Sequence, residues 1–215
     1  MRLGYLILII PLLLLVGCAS NNEMKRPFMF KEAKLPGGFP SPGPVGEIIV
    51  KEYPAYRMAR IQRGEGGIAG GPNVMFRPLF NHIKRNDIPM TAPVEMGYPE
   101  HVKPGEGASS MAFLYGEQMW GTSGADANDR RVVVEDVPAM TVVSIGVRGG
   151  YTDANFKKAI SKLNAWVQQR VDQVRVIGAP RYLAYNSPFV LGFLKYGEVQ
   201  LPVELIGRAD EEDAP

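Results

Sequence analysis

The sequence predicts an α+β domain with antiparallel-rich sheets and two main helices, formed by a duplicated βαββ unit with pseudo-two-fold symmetry. The first observation is an internal echo: Val50–Tyr56 (VKEYPAY) is matched at Val134–Met140 (VEDVPAM), an offset of 134 minus 50, or 84 residues. The second is that each copy leads into an apolar run, a glycine cluster and a segment with helical periodicity. A fixed offset between similar segments indicates repeated structural units.

The first half, about residues 45–118, begins with a strand over 56–61 that is rich in large apolar residues. A helix is predicted next, because apolar residues recur at three- and four-residue spacing. They are Phe76, Leu79, Phe80 and Ile83. Two further strands are expected over 90–98, around an Ala-Pro pair, and over 110–115.

The second half, about residues 130–208, repeats this order with a strand over 140–147. Thr152 is a suitable N-cap for the second helix, whose apolar stripe is Phe156, Ile160, Leu163, Val167 and Val171. Strands follow over 177–186 and 191–205, the latter with a break near Gly197 or Pro202 left open.

The amino terminus has the pattern of a signal peptide over residues 1–17. Arg2 precedes an apolar run, Leu6–Val16, which is too short to span about 30 Å of hydrocarbon comfortably, and Gly17 stands before Cys18. This pattern resembles bacterial lipoprotein signals. The resemblance implies that Cys18 becomes a lipidated amino terminus, with Ala19 directing the protein to the outer membrane, facing the periplasm. An uncleaved anchor and an ordinary signal with a free thiol remain alternatives.

Residues 18–44 are predicted to be a tether, because five prolines and three glycines oppose helix and central strand. Phe28, Met29 and Phe30 would be exposed in a free linker, so docking of these residues on the body remains open. Residues 209–215 form a short acidic tail.

Charge and composition exclude several function classes. The chain has 24 Lys+Arg against 22 Asp+Glu, a net charge of +2, without a basic block that would attract nucleic acid. Its single cysteine excludes an internal disulfide framework and a cysteine-cluster metal site. No HExxH or GxSxG motif occurs, and we therefore predict a binding protein and not an enzyme.

Two stretches around the first helix resemble the signature of the SOUL haem-binding family. They are Phe76–Asn86 (FRPLFNHIKRN) and Ile88–Met96 (IPMTAPVEM), and Glu47–Arg57 resembles the family's first strand. The resemblance extends over about residues 46–206. It implies the duplicated βαββ fold shared with effector-binding modules of bacterial regulators. It further implies reversible, non-covalent binding of haem or another tetrapyrrole in a largely hydrophobic groove.

Candidate haem contacts follow from the chemistry of haem iron and its propionates. His82 borders the apolar stripe and is the first candidate for axial ligation, with His101 second. Thioethers and guanidinium groups suit a porphyrin face and its carboxylates. The candidates are Met90, Met96, Met111, Arg57, Arg60 and Arg181. For each of these residues a purely structural role is the alternative.

Three other functions remain open at this stage. The first is an envelope protein of the same fold that binds a different small amphiphile. The second is a hydrolase that uses a groove glutamate, either Glu95 or Glu204. The third is a structural envelope protein that binds only other proteins.

Overall fold

The computed structural model describes residues 29–63, 73–101 and 106–207. The predictions for the signal peptide, Cys18, Phe28 and the acidic tail therefore lie outside the described residues. Within the described ranges, no helix combines the length and the apolar character needed to cross a bilayer.

Within the described residues, the first half contains four strands and one helix. They are β1 (Ile48–Tyr53), β2 (Tyr56–Gln62), α1 (Asn73–Arg85), β3 (Val94–Gly97) and β4 (Ser110–Leu114). β5 (Gly124–Ala125) lies between the two halves. The second half contains β6 (Val132–Val137), β7 (Met140–Arg148), α2 (Asp153–Gln168), β8 (Val174–Val176), β9 (Arg181–Ala184) and β10 (Tyr196–Leu205). Thr152 caps α2, since its hydroxyl accepts the N–H of Asn155 at 3.2 Å. β10 continues through Gly197 and Pro202, so the possible break there is wrong.

The ten strands of the described ranges form one sheet in the order β1-β7-β10-β9-β3-β4-β2-β6-β5, with β8 beside the end of β10. The pairings between these strands are antiparallel, which confirms the predicted α+β class. The two halves meet where β3 pairs with β9, from Val94 opposite Ala184 to Gly97 opposite Arg181.

The echoed Pro-Ala motif is the bend at which the chain passes from one half of the sheet to the other. Before the first bend, β1 pairs with β7 of the second half, whereas β2 after it pairs with β4. Before the second bend, β6 pairs with β2 of the first half, whereas β7 after it pairs with β10. The described part of the first half is therefore strand–strand–helix–strand–strand, one strand longer than the predicted βαββ unit, and the second half has this order with β8 inserted after α2.

Both helices cover the same face of the sheet and form the main core there. Leu79 of α1 and Phe156 and Leu163 of α2 are fully buried against strand residues. Phe156 stacks on Tyr98 with ring centroids 3.5 Å apart. Full burial of a large apolar side chain contributes about 1.5–3 kcal/mol, which explains why the helical stripes were readable in the sequence.

The opposite face is covered by residues 29–44, which we name the strap. Its backbone is attached to the body where the Ala92 N–H donates to the Lys34 carbonyl and the Gly37 N–H to the Gly116 carbonyl, both at 2.9 Å. Met29, Leu35 and Phe39 pack against buried residues of this face. The prediction of a free tether is therefore corrected for residues 29–44, because their apolar side chains have a surface to bury.

Candidate functional site

The face beneath the strap carries a continuous network of buried polar side chains. Arg181 on β9 connects the residues of the first half in this network to those of the second half. The Arg181 guanidinium donates to the Tyr56 hydroxyl at 2.7 Å, to Glu95 at 3.0 Å and to Gln200 at 3.0 Å. The Arg181 guanidinium also lies over the Tyr53 ring, 5.1 Å from its centroid. Burial opposes the charged form of Arg181, but the Glu95 carboxylate raises its pKa above the ordinary value.

Glu198 is the second centre of this network and is fully buried on β10. The Lys51 ammonium donates to the Glu198 carboxylate at 2.6 Å, and the Gly43 N–H of the strap donates to the same carboxylate at 2.5 Å. Tyr196 and Gln200 also donate to it, each at 3.0 Å. The Tyr185 hydroxyl donates as well, at 3.2 Å, and these five donors compensate the cost of burying this carboxylate.

The strap closes this face above the network. Phe39 contacts the rings of Tyr53 and Tyr56 edge-on, with centroids 4.9 and 5.1 Å away. A cavity of about 430 Å³ remains on this face, and we name it the strap-side cavity. It is lined by side chains that include Arg60, Arg63, Glu95 and Arg181. This charged lining does not suit a flat apolar ligand.

A larger concavity lies on the other side of the molecule, between α2 and β8, and we name it the α2–β8 cleft. It has a volume of about 1020 Å³. Its apolar lining includes Ile160, Ile177 and Leu201, and His101 and Lys157 lie among its polar residues. Ile177 is 57% exposed, so this cleft offers an open apolar surface.

His82 lies buried inside the protein instead of at the border of a groove. Its Nε2 is 2.7 Å from the Tyr115 hydroxyl, and its Nδ1 contacts the Asp126 carboxylate. Asp126 in turn accepts the N–H groups of Asn128 at 2.6 Å and Asp129 at 3.0 Å.

The ionisation states of Tyr115 and Asp126 place a proton on Nδ1 of His82. Burial raises the pKa of Tyr115 to about 12, so its hydroxyl keeps its proton at neutral pH. Burial opposes ionisation of Asp126, but hydrogen bonds from His82 and the backbone hold its pKa well below the usual range. Asp126 can therefore only accept, which places a proton on Nδ1, and Nε2 is hydrogen-bonded to the Tyr115 hydroxyl. Neither ring nitrogen has a free lone pair for a metal.

The other predicted haem contacts do not meet at one place. Arg57 pairs with Asp136 at 2.8 Å and donates to the Gly121 carbonyl at 2.6 Å. Met96 is buried in the core, against which the half-buried Met90 packs. Of the predicted haem contacts, Arg60 and Arg181 line the strap-side cavity, and Met111 lies in the core.

The two glutamates considered for hydrolysis have different surroundings. Glu95 is buried and contacts Arg181, the Tyr56 hydroxyl at 3.3 Å and Arg60 at 3.6 Å. Glu204 is half-exposed on β10 and pairs with Arg175. Only Glu95 lines the strap-side cavity.

Sequence reasoning missed Lys51, Asp126, Glu198 and Gln200, all of which are buried. One signal was present: Glu198 and Gln200 alternate with the apolar residues Val199 and Leu201 along β10. Such alternation ordinarily indicates a solvated face, and nothing in the pattern indicated that the strap covers it. In the part of the chain that the structure describes, no group of three or more His, Cys, Asp or Glu side chains is placed to hold a metal ion.

Comparison with solved structures finds the same fold at low sequence identity. EcmrR in its DNA complex matches with a TM-score of 0.55 and 15% identity; the match covers 74% of this chain and 57% of that one. The C-terminal domain of EcmrR matches with a TM-score of 0.53 and 17% identity, covering 74% of this chain and 97% of the domain. A hydrolase from Listeria innocua matches with a TM-score of 0.53 and 12% identity, and the match covers 75% of this chain and 94% of the hydrolase chain. At these identities the likeness concerns the fold alone.

Comparison with curated proteins finds no match. A family model, in contrast, matches residues 46–202, which include both halves of the sheet and both helices. The matched region contains the two stretches around α1 that carried the resemblance in the sequence. The chain therefore belongs to the SOUL heme-binding protein family.

Proposed function

We propose that this protein binds haem or a related tetrapyrrole reversibly in the α2–β8 cleft, as a non-catalytic binding, buffering or delivery protein. The family match over residues 46–202 is the observation that carries the proposal. Binding need not depend on strong iron ligation, because a buried porphyrin face contributes about 25 cal/mol per Å² even before any ligand bond forms.

The α2–β8 cleft suits such a ligand better than the strap-side cavity does. Its volume of about 1020 Å³ is at the upper end of the roughly 300–1,000 Å³ that small-molecule sites occupy. Ile160, Val176 and Ile177 would contact the apolar macrocycle. His101 would offer an imidazole to the iron, and Lys157 an ammonium group to a propionate.

A haemin titration of the mature chain tests this proposal and distinguishes the two histidines. We expect a saturating, shifted Soret band at one equivalent. His101→Ala should shift the band and weaken binding by at least about tenfold, or about 1.4 kcal/mol. His82→Ala should leave the band position unchanged, because His82 already uses both ring nitrogens. A non-saturating band, or a band that responds to His82→Ala alone, would contradict the proposal.

We further propose that the protein is a lipoprotein of the bacterial cell envelope, held in the outer membrane and facing the periplasm. The lipobox Leu15–Cys18 supports this proposal. The intact mass of the mature protein should match a chain that begins at Cys18 and carries diacylglycerol and an acyl chain. A mature peptide that begins before Cys18 would contradict it.

We also infer that the two halves are copies related by a pseudo-two-fold axis between β3 and β9. The strand order supports this inference. Counted outward from the β3–β9 pair, one side has β4, β2 and β6, and the other has β10, β7 and β1. Corresponding strands occupy corresponding places in the two units, with β5 and β8 as additions.

A further inference from the structure

We propose that residues 187–194, between β9 and β10, contact the surface of the lipid bilayer. We name this segment the apolar loop. Phe189 is 94% exposed, Leu191 61% and Phe193 70%. Three large apolar side chains projecting from one short segment are not needed by the core, and such a patch marks a site of protein or membrane contact.

The base of the apolar loop is fixed to the body, so its apolar side chains are held outward. The Ser187 N–H donates to Glu32 at 2.7 Å, and the Leu194 carbonyl accepts from Arg148 at 2.9 Å. A short 3₁₀ helix, Gly192–Leu194, orders the end of the loop. A loop held in this way presents Phe189 and Phe193 without a large ordering cost on binding.

The position of the strap favours a lipid bilayer over another protein as the partner of the apolar loop. The described chain begins beside the loop, where Asn186 donates to the Phe30 carbonyl at 2.8 Å and Glu32 accepts from Ser187. Only ten residues, 19–28, separate Cys18 from Met29. Even fully extended they span less than about 40 Å. A lipid on Cys18 would therefore keep the apolar loop close to the membrane.

Cations at the base of the loop suit the headgroup region. Lys195 donates to the Pro188 carbonyl at 3.3 Å, and Arg148 holds the other end of the loop. Apolar side chains that enter the acyl boundary, with basic groups behind them at headgroup level, are the pattern of interfacial membrane contact. Lys195 and Arg148 together outweigh the single Glu32 carboxylate at the same base, and this net positive charge favours anionic lipids.

The geometry of this proposal rests on the proposed lipidation of Cys18, and its first test uses the full lipidated protein. Vesicles contain phosphatidylethanolamine and phosphatidylglycerol at 3:1. Because Cys18 is the chain's only cysteine and is acylated, Phe193→Cys adds a single thiol for an environment-sensitive fluorophore. Val171→Cys is the matched control, because Val171 is 62% exposed and lies past the carboxyl end of α2. The apolar loop, in contrast, is attached near the amino end of α2, where the Asn186 N–H donates to the Tyr151 hydroxyl. We expect a blue shift and quenching by brominated lipid at position 193 but not at position 171.

A second measurement separates failure of the anchor from failure of the loop contact. The unlipidated mature chain, from Ala19 onward, is titrated with the same vesicles and compared with the double variant Phe189→Ser/Phe193→Ser. We expect the double variant to bind at least about fivefold more weakly, whether or not the natural chain is acylated. Equal binding by the two chains, or label spectra that agree at positions 193 and 171 on vesicle-bound protein, would overturn the proposal.

Discussion

Replacing Glu198 with alanine is expected to lower the free energy of unfolding by about 3–5 kcal/mol, the range for removing one partner of a buried ion pair. The variant leaves the Lys51 ammonium buried without its carboxylate and removes the acceptor of the strap's Gly43 N–H. Chemical denaturation followed by circular dichroism measures the difference. Glu204→Ala is the matched control on the same strand, where an exposed pair with Arg175 contributes only about 0–1 kcal/mol.

The pH dependence of the Glu198→Ala variant gives an independent check. Burial already lowers the pKa of Lys51 from its ordinary 10.5, and Glu198 opposes that shift. Between the folded and unfolded pKa the unfolded chain binds more protons, so stability rises with pH up to about 10.5. Without Glu198 the folded pKa of Lys51 falls further, so the rise should begin at a lower pH and be larger in total in Glu198→Ala. Equal losses for the Glu198 and Glu204 variants, or a rise of the same size over the same pH range, would show that the Lys51–Glu198 pair does not stabilise the fold.

Replacing Arg181 with methionine is expected to cost about 3 kcal/mol of stability, because it leaves Glu95 buried and removes three of the hydrogen bonds that join β9 to the strap-side network. Arg60 contacts Glu95 at 3.6 Å and limits the loss. Arg60→Met is the control and should cost about 1 kcal/mol, since Arg60 is partly exposed and also pairs with Glu135.

A double-mutant cycle identifies the source of the Arg181 effect. In a Glu95→Gln background no buried carboxylate loses its partner, so Arg181→Met should cost at least about 1 kcal/mol less. Thermal or denaturant unfolding of the four proteins measures the coupling. Strictly additive effects would mean that the Arg181 guanidinium stabilises the fold through packing on Tyr53 and not through Glu95.

The sequence allowed the α+β class, both helices and the strands β2, β3, β4, β7, β9 and β10 to be predicted. Phe156 and Leu163 could be read because helical spacing and deep burial coincide there. The Pro-Ala echo located β2 and β7 within about a residue of their observed bounds. It could not indicate that each bend transfers the chain to the other half, because strand pairing over such distances leaves no local pattern.

The candidate site was less predictable than the fold. His82 has the chemistry of an axial ligand, but its partner Asp126 is 44 residues away in a segment with no regular periodicity. Glu198 and Gln200 occupy positions that alternation assigns to solvent. Their burial depends on the strap, whose proline and glycine content suggested a linker. The proline and glycine content of the strap indicates the absence of helix and strand, but it does not indicate that the strap packs on a face of the sheet.

The strap lies outside the region of family similarity but takes part in the packing of the domain. Similarity begins at residue 46, but Phe39 fills the space between two tyrosine rings and Gly43 supplies a donor to Glu198. A chain cut at the family boundary would expose Tyr53 and Tyr56 to water and leave a buried carboxylate short of a hydrogen bond. A piece that keeps these contacts must therefore include Phe39 and Gly43, both of which precede the family boundary.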